Sequence, residues 1–212
     1  MNPRRALAVA LLALAGLAGG CSHTPPTPAV LDPPRVDLSR FGTLGLVEFE
    51  SGAVDGFGAE VSREYLSALQ AAQPGTPVLE LGSERHVLSQ VGASSFDPEA
   101  VAALGAKYHV DALVVGSLDA QRVTPNVSFD AAVQWIKASA VLEGSLHVRI
   151  LDTRSGATRW SNLTRAREEV ARMNVNGAGV SGVGATPPDE ARQRLVERMV
   201  QRSTDDFWAH WR

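Results

Sequence analysis

The chain is poor in the residues on which most chemistry depends. Its single cysteine, Cys21, excludes an intrachain disulfide, a Cys-X-X-Cys redox pair and a multi-cysteine zinc site. His23, His86, His109, His147 and His210 are scattered with no metal-ligand spacing, so neither a metal nor any other cofactor is predicted. Ser117 follows Gly116 and Ser145 follows Gly144, but neither stands in the G-x-S-x-G form of a nucleophile elbow. Gly177, Gly179 and Gly182 spell G-x-G-x-x-G, yet the dinucleotide fingerprint joins an early strand to a helix, whereas here Pro187 and Pro188 follow with one helix left. The stretch Asn174 to Gly184 therefore reads as a flexible loop. No catalytic residue is assigned, and the chain is read as non-enzymatic. Positive charge is not concentrated either: 20 Lys and Arg stand against 23 Asp and Glu, a formal charge of −3, which argues against nucleic acid as a partner.

What is present begins with a leader. Met1 to Arg5 is a short basic stretch and Ala6 to Ala18 a run of Ala, Leu and Val with one Gly16, too short to be a stable membrane anchor and of the form of a secretory signal peptide. Gly19 and Gly20 lead into Cys21, a pattern that resembles the lipobox of bacterial lipoproteins, although Ala18 stands where the box usually has Leu. That resemblance implies that residues 1–20 are removed and that the Cys21 thiol carries a diacylglycerol. At about 0.8 kcal/mol per buried methylene, two or three acyl chains hold a protein to a membrane without a transmembrane helix. Ser22, where Asp would resemble the inner-membrane retention signal, implies the periplasmic face of the outer membrane.

Residues 21–40 are read as a tether, because Pro25, Pro26, Pro28, Pro33 and Pro34 among few apolar residues favour extended polyproline II. Residues 41–212 are read as a single periplasmic domain, since 44% hydrophobic and 20% charged residues describe an ordinary globular protein.

Within it, Thr43 to Phe49 reads as a strand, and Val54, Phe57, Val61, Tyr65 and Leu69 recur at helical spacing up to about Ala72. Pro77 to Leu81 reads as a second strand, Ser83 as the cap of a short helix, and Asp97-Pro98-Glu99 as the start of another. Ala112 to Leu118 is almost wholly apolar, as in a strand covered on both faces. Ala138 to Ile150 alternates, Asp152 to Gly156 reads as a turn, and Thr158 to Val170 returns antiparallel with Trp160 on the packed face. Thr186, Pro187 and Asp189 open a last helix whose apolar stripe runs from Leu195 and Met199 to Phe207 and Trp211. The predicted fold is α/β (α+β): a mixed sheet of about five strands with helices packed on it, including a long antiparallel hairpin and a final helix.

Three stretches, TLGLVEF (43–49), LGAKYHVDALVVGSL (Leu104 to Leu118) and VRILDTRSGATRWS (Val148 to Ser161), resemble one superfamily. It includes the curli-secretion lipoprotein (CsgG), the outer-membrane lipoproteins that activate penicillin-binding proteins, and the amino-terminal domain of TolB. The resemblance implies architecture more than activity. It implies either an envelope lipoprotein acting as a binding or adaptor domain for a protein partner, or a subunit of an oligomeric outer-membrane secretion or surface-assembly complex. A pore protomer needs long alternating insertions with an outward apolar band. Gln121 to Lys137 carries scattered apolar residues, and Arg165 to Val183 is charged and then glycine-rich, so a soluble tethered domain is expected. Trp208 and Trp211, beside Asp205, Asp206 and Phe207, are the candidate partner surface.

Overall fold

A computed structural model of the chain describes residues 31–52, 57–130, 135–176 and 179–211. The leader and Cys21 lie outside the described residues. The compact unit spans residues 32–210.

Its elements in chain order are β1 (Leu44–Glu48), β2 (Glu50–Ser51), α1 (Phe57–Ala72), β3 (Val78–Ser83), α2 (Glu84–Ser89), α3 (Pro98–Tyr108), β4 (Ala112–Asp130), β5 (Trp135–Asp152), β6 (Thr158–Asn176), β7 (Gly179–Ala185) and α4 (Pro188–Ser203). They build the expected mixed sheet, with seven strands in the order β3-β1-β4-β5-β6-β7 and β2 beside β4. The first strands are parallel, β1 to β3 and to β4 and β2 to β4, and the rest antiparallel.

Helices cover both faces of the first half. On one face α1 and α4 bury Val61, Tyr65, Leu69, Leu195 and Met199 against Leu44, Val114, Leu146, Val148 and Ile150. On the other, α2 and α3 bury Val87, Leu88, Val101 and Leu104 against Val47, Leu113 and Val115. Ala112 to Val115 is therefore buried throughout, which is why its sequence is unbroken in apolar residues. Asp97 starts α3 as its residue type dictates: its Oδ1 accepts from the Ala100 amide at 2.8 Å, with Pro98 in the first turn. Gly144 marks where α4 crosses β5, since a β-carbon there would lie 3.1 Å from both Leu195 Cδ2 and Met199 Sδ.

Two expectations are corrected. The last helix stops at Ser203, and both the amide and the hydroxyl of Thr204 donate to the Val200 carbonyl at 2.9 Å. Phe207 reaches the core from a following 3-10 turn, Asp205–Phe207, not from a helical stripe. The second correction is larger: β4 runs on to Asp130 and β6 to Asn176, well past Leu118 and Val170, β5 gains only a few residues at each end, and the glycine-rich stretch supplies β7.

Candidate functional site

The three stretches that carry the superfamily resemblance meet at one joint. Asp111 Oδ2 accepts from the Thr43 amide at 2.9 Å, and the Thr153 hydroxyl lies within 2.9 Å of the Val110 carbonyl and 2.8 Å of the Asp111 carbonyl. Gly105 of α3 rests on Thr153 so closely that a β-carbon would stand 2.4 Å from the Thr153 Cβ. The adjoining turn is held by Asp152, whose Oδ1 accepts from the Arg154 and Ser155 amides at 3.0 and 2.9 Å and from the Ser155 hydroxyl at 2.9 Å. Those Ser155 bonds hold its carboxyl below the usual value. Asp111, Thr153 and Asp152 thus tie the three stretches together at this joint.

A cleft of about 670 Å³ opens at the carboxyl ends of β1, β2 and β3, lined in part by Glu48, Glu50, Glu84 and Arg85. Burial, with the Glu50 charge close by, raises the Glu84 carboxyl above its ordinary value. His147 Nε2 is 3.0 Å from the Ser161 hydroxyl on the sheet. Among the described residues no group of three or more His, Cys, Asp and Glu is placed to hold a metal. Gly179 and Gly182 lie within β7, an edge strand, and not in a strand-to-helix turn.

The outer parts of β4, β5 and β6, with β7, form a four-stranded antiparallel extension beyond the helices. On β5 the residues Ile150, Val148, Leu146 and Leu142 pack beneath α1 and α4, and the same period continues outward to Ala140 and Ala138. The register then sets apolar residues side by side across all four strands. One row is Pro125, Ala140, Ala171 and Ala185; the next is Val127, Ala138, Met173 and Val183. A third row of backbone partners is Phe129, Ile136, Val175 and Val180. Between them fall Asn126, Ser139, Arg172 and Gly184, then Ser128, Lys137, Asn174 and Gly182. The extension is thus two-faced, and its apolar side is uncovered: Val127 is 68% exposed, Met173 41% and Val183 74%.

Sequence reading missed this because the strands are bulged. Register shifts at Gln121/Thr124, Ala140/Val141 and Asn174/Val175 each move the alternation by one step, so a fixed period of two finds only scattered matches. Alanine and proline at the apolar positions weakened the signal further. The available sign was the repeated small-or-apolar residue at every second position from Ile136 to Ala140 and from Ala171 to Val175.

The predicted aromatic surface is only partly assembled. Trp208 is half-buried, and the Trp211 side chain lies outside the described residues. Trp160 takes a structural place beside them, its ring centroid 4.8 Å from that of Phe207 and its Nε1 donating to Asp206 Oδ2 at 3.2 Å.

No family model matches the chain, and no curated protein does. Among solved structures it is similar to a PelC dodecamer from Paraburkholderia phytofirmans, at 10% identity over 86% of this chain and 98% of that one, with a TM-score of 0.46. Lipoprotein GNA1162 from Neisseria meningitidis matches at 17% identity over 76% and 96%, with a TM-score of 0.40. The LpoB C-terminal domain from Salmonella enterica matches at 11% over 59% and 82%, with a TM-score of 0.37. At these identities and scores the likeness fixes neither a family nor an activity.

Proposed function

We propose that the chain is a non-enzymatic envelope lipoprotein, anchored through Cys21 at the periplasmic face of the outer membrane, that works by binding protein. The observation that carries this reading is the uncovered apolar face of the extension, where Val127, Met173 and Val183 stand exposed in one row that crosses β5 at Ala138. Contiguous exposed apolar area rimmed by polar residues marks an interaction surface. Among the described side chains, two apolar rows spaced two residues apart cover about 7 Å along the strands. A lipid-facing band of an outer-membrane barrel is about 25 Å tall. That difference favours a protein partner over the hydrocarbon of a bilayer.

The test places a photo-activated crosslinking residue at Val127 or Met173, and in parallel at exposed Glu80 on β3, in intact envelopes. Crosslinks to protein from the extension and not from Glu80 support the reading. Crosslinks confined to Glu80, or to lipid alone, overturn it. For the anchor, Cys21→Ala should move the protein from the membrane pellet to the soluble periplasm, and persistence in the pellet defeats that part of the proposal.

A further inference from the structure

Arginines of a strand and a helix meet at the inner part of β6, where β7 does not reach. Arg165 and Arg167 stand two residues apart on β6 and so share one exposed face of the sheet, while Ala166 between them is buried in the core that α4 covers. Arg198 and Arg202 stand one turn apart on α4 and cap the strand edge: Arg198 Nη1 donates to the Arg167 carbonyl at 2.6 Å and Arg202 Nη1 to the Arg165 carbonyl at 3.0 Å. All four side chains line one cleft of about 430 Å³, together with Asp119, Glu143 and Ser145.

Carboxylates neutralise only half of this set. Arg167 Nε lies 2.8 Å from Glu143 Oε1, and Arg198 Nη2 lies 2.9 Å from Glu168 Oε2. Arg165 and Arg202 have no ion-pair partner among the described residues, and Asp119 has an interaction of its own. The Arg202 guanidinium is nevertheless held in place, because a carbonyl fixes it without cancelling its charge. Like charges one helical turn apart are destabilising, so nothing in the fold itself calls for this gathering of arginines. Guanidiniums that are held and left charged are ready to receive an anion.

We infer that this cleft binds a phosphate monoester group, with Arg165 and Arg202 as its principal donors. The charge selects that group: a phosphate monoester carries about −1.5 to −2 at neutral pH, which two free guanidiniums match, whereas a carboxylate brings a single charge. Donors that arrive from a strand and from a helix also suit a group with three acceptor oxygens better than a planar carboxylate. The site shares no residue with the apolar face of the extension and does not rest on the protein-binding reading. A soluble phosphate ester and a lipid headgroup ending in a monoester present the same chemistry, and the test separates them.

Full-length protein in a non-ionic detergent is titrated calorimetrically with inorganic phosphate, glucose 6-phosphate, a short-chain phosphatidate and acetate. The natural chain is compared with Arg165→Gln, Arg202→Gln and Arg63→Gln, the last an exposed arginine of α1 outside the cleft. No hydrogen bond or ion pair of the Arg165 side chain is lost on substitution, so Arg165→Gln should melt like the natural chain and decides the matter alone if Arg202→Gln does not. The expected result is saturable binding of a phosphate probe at one site per chain, weakened at least about tenfold by each cleft variant and unchanged by Arg63→Gln. Binding of glucose 6-phosphate or inorganic phosphate supports a soluble ligand, and binding of phosphatidate alone supports a lipid-borne one. The inference is overturned if no phosphate probe binds saturably, if Arg165→Gln binds as tightly as the natural chain, or if acetate binds equally well.

Discussion

The body and the extension of this sheet are made of the same strands and obey opposite rules. In the body, β4 and β5 are sandwiched between helices, side chains such as Val114, Leu146 and Met199 are fully buried, and small residues appear where backbones must approach. In the extension the same strands form a single layer with both faces open, and Val127 and Val183 are more exposed than any body valine in the core. The difference teaches that the extension is not stabilised by its own packing. It is held by backbone pairing continued from the body, and its apolar side is surplus to folding.

The sharpest way to break this comparison is to damage the body. Leu195→Ala removes a wholly buried side chain under the sheet and should cost about 3 kcal/mol, read as a lowered denaturation midpoint; a loss below about 1 kcal/mol would mean that α4 does not seal the core. Gly105→Val forces α3 off Thr153 and should cost about 2 kcal/mol by overpacking. If Gly105→Val melts like the natural chain, the joint of the three motifs is looser than its distances imply.

A smaller effect concerns the turn at Asp152. Its folded carboxyl titrates below the unfolded one, so its contribution is present above the unfolded value and lost as pH falls through the folded one. Asp152→Asn should therefore flatten the acid limb of the stability-pH curve while leaving neutral stability within about 1 kcal/mol. The smallest effect belongs to the extension: Val127→Asp should change stability by no more than about 0.5 kcal/mol while abolishing partner crosslinking, and a large loss of stability would show that the apolar face is a core after all.

The body was legible in the sequence because its signals are local. Asp97-Pro98 fixes a helix start by capping chemistry, and Ala112 to Leu118 declares a doubly covered strand by composition. The extension was not legible, because its pattern exists across strands: Val127, Ala138, Met173 and Val183 become a row only once two bulged registers and the pairing of β7 are known. The glycines of β7 mimic a loop for the same reason, since their conformation is set by β6 and not by their own preferences. The end of α4 was misplaced because the apolar spacing of Phe207 continues through a 3-10 turn that Thr204 begins. Of the candidate surface, Trp208 is half-buried and Trp211 lies outside the described side chains, whereas the exposed apolar residues were overlooked.

The arginine caps on β6 carry one more consequence. Arg198 and Arg202 close the sheet up to Arg167, while Thr186 bonds back to the Val170 carbonyl at 2.9 Å where β7 ends and α4 begins. Along the inner part of β6 these carbonyls are therefore already taken, and another strand cannot pair with them there. That closure is supplied by two side chains of a helix that the core already requires.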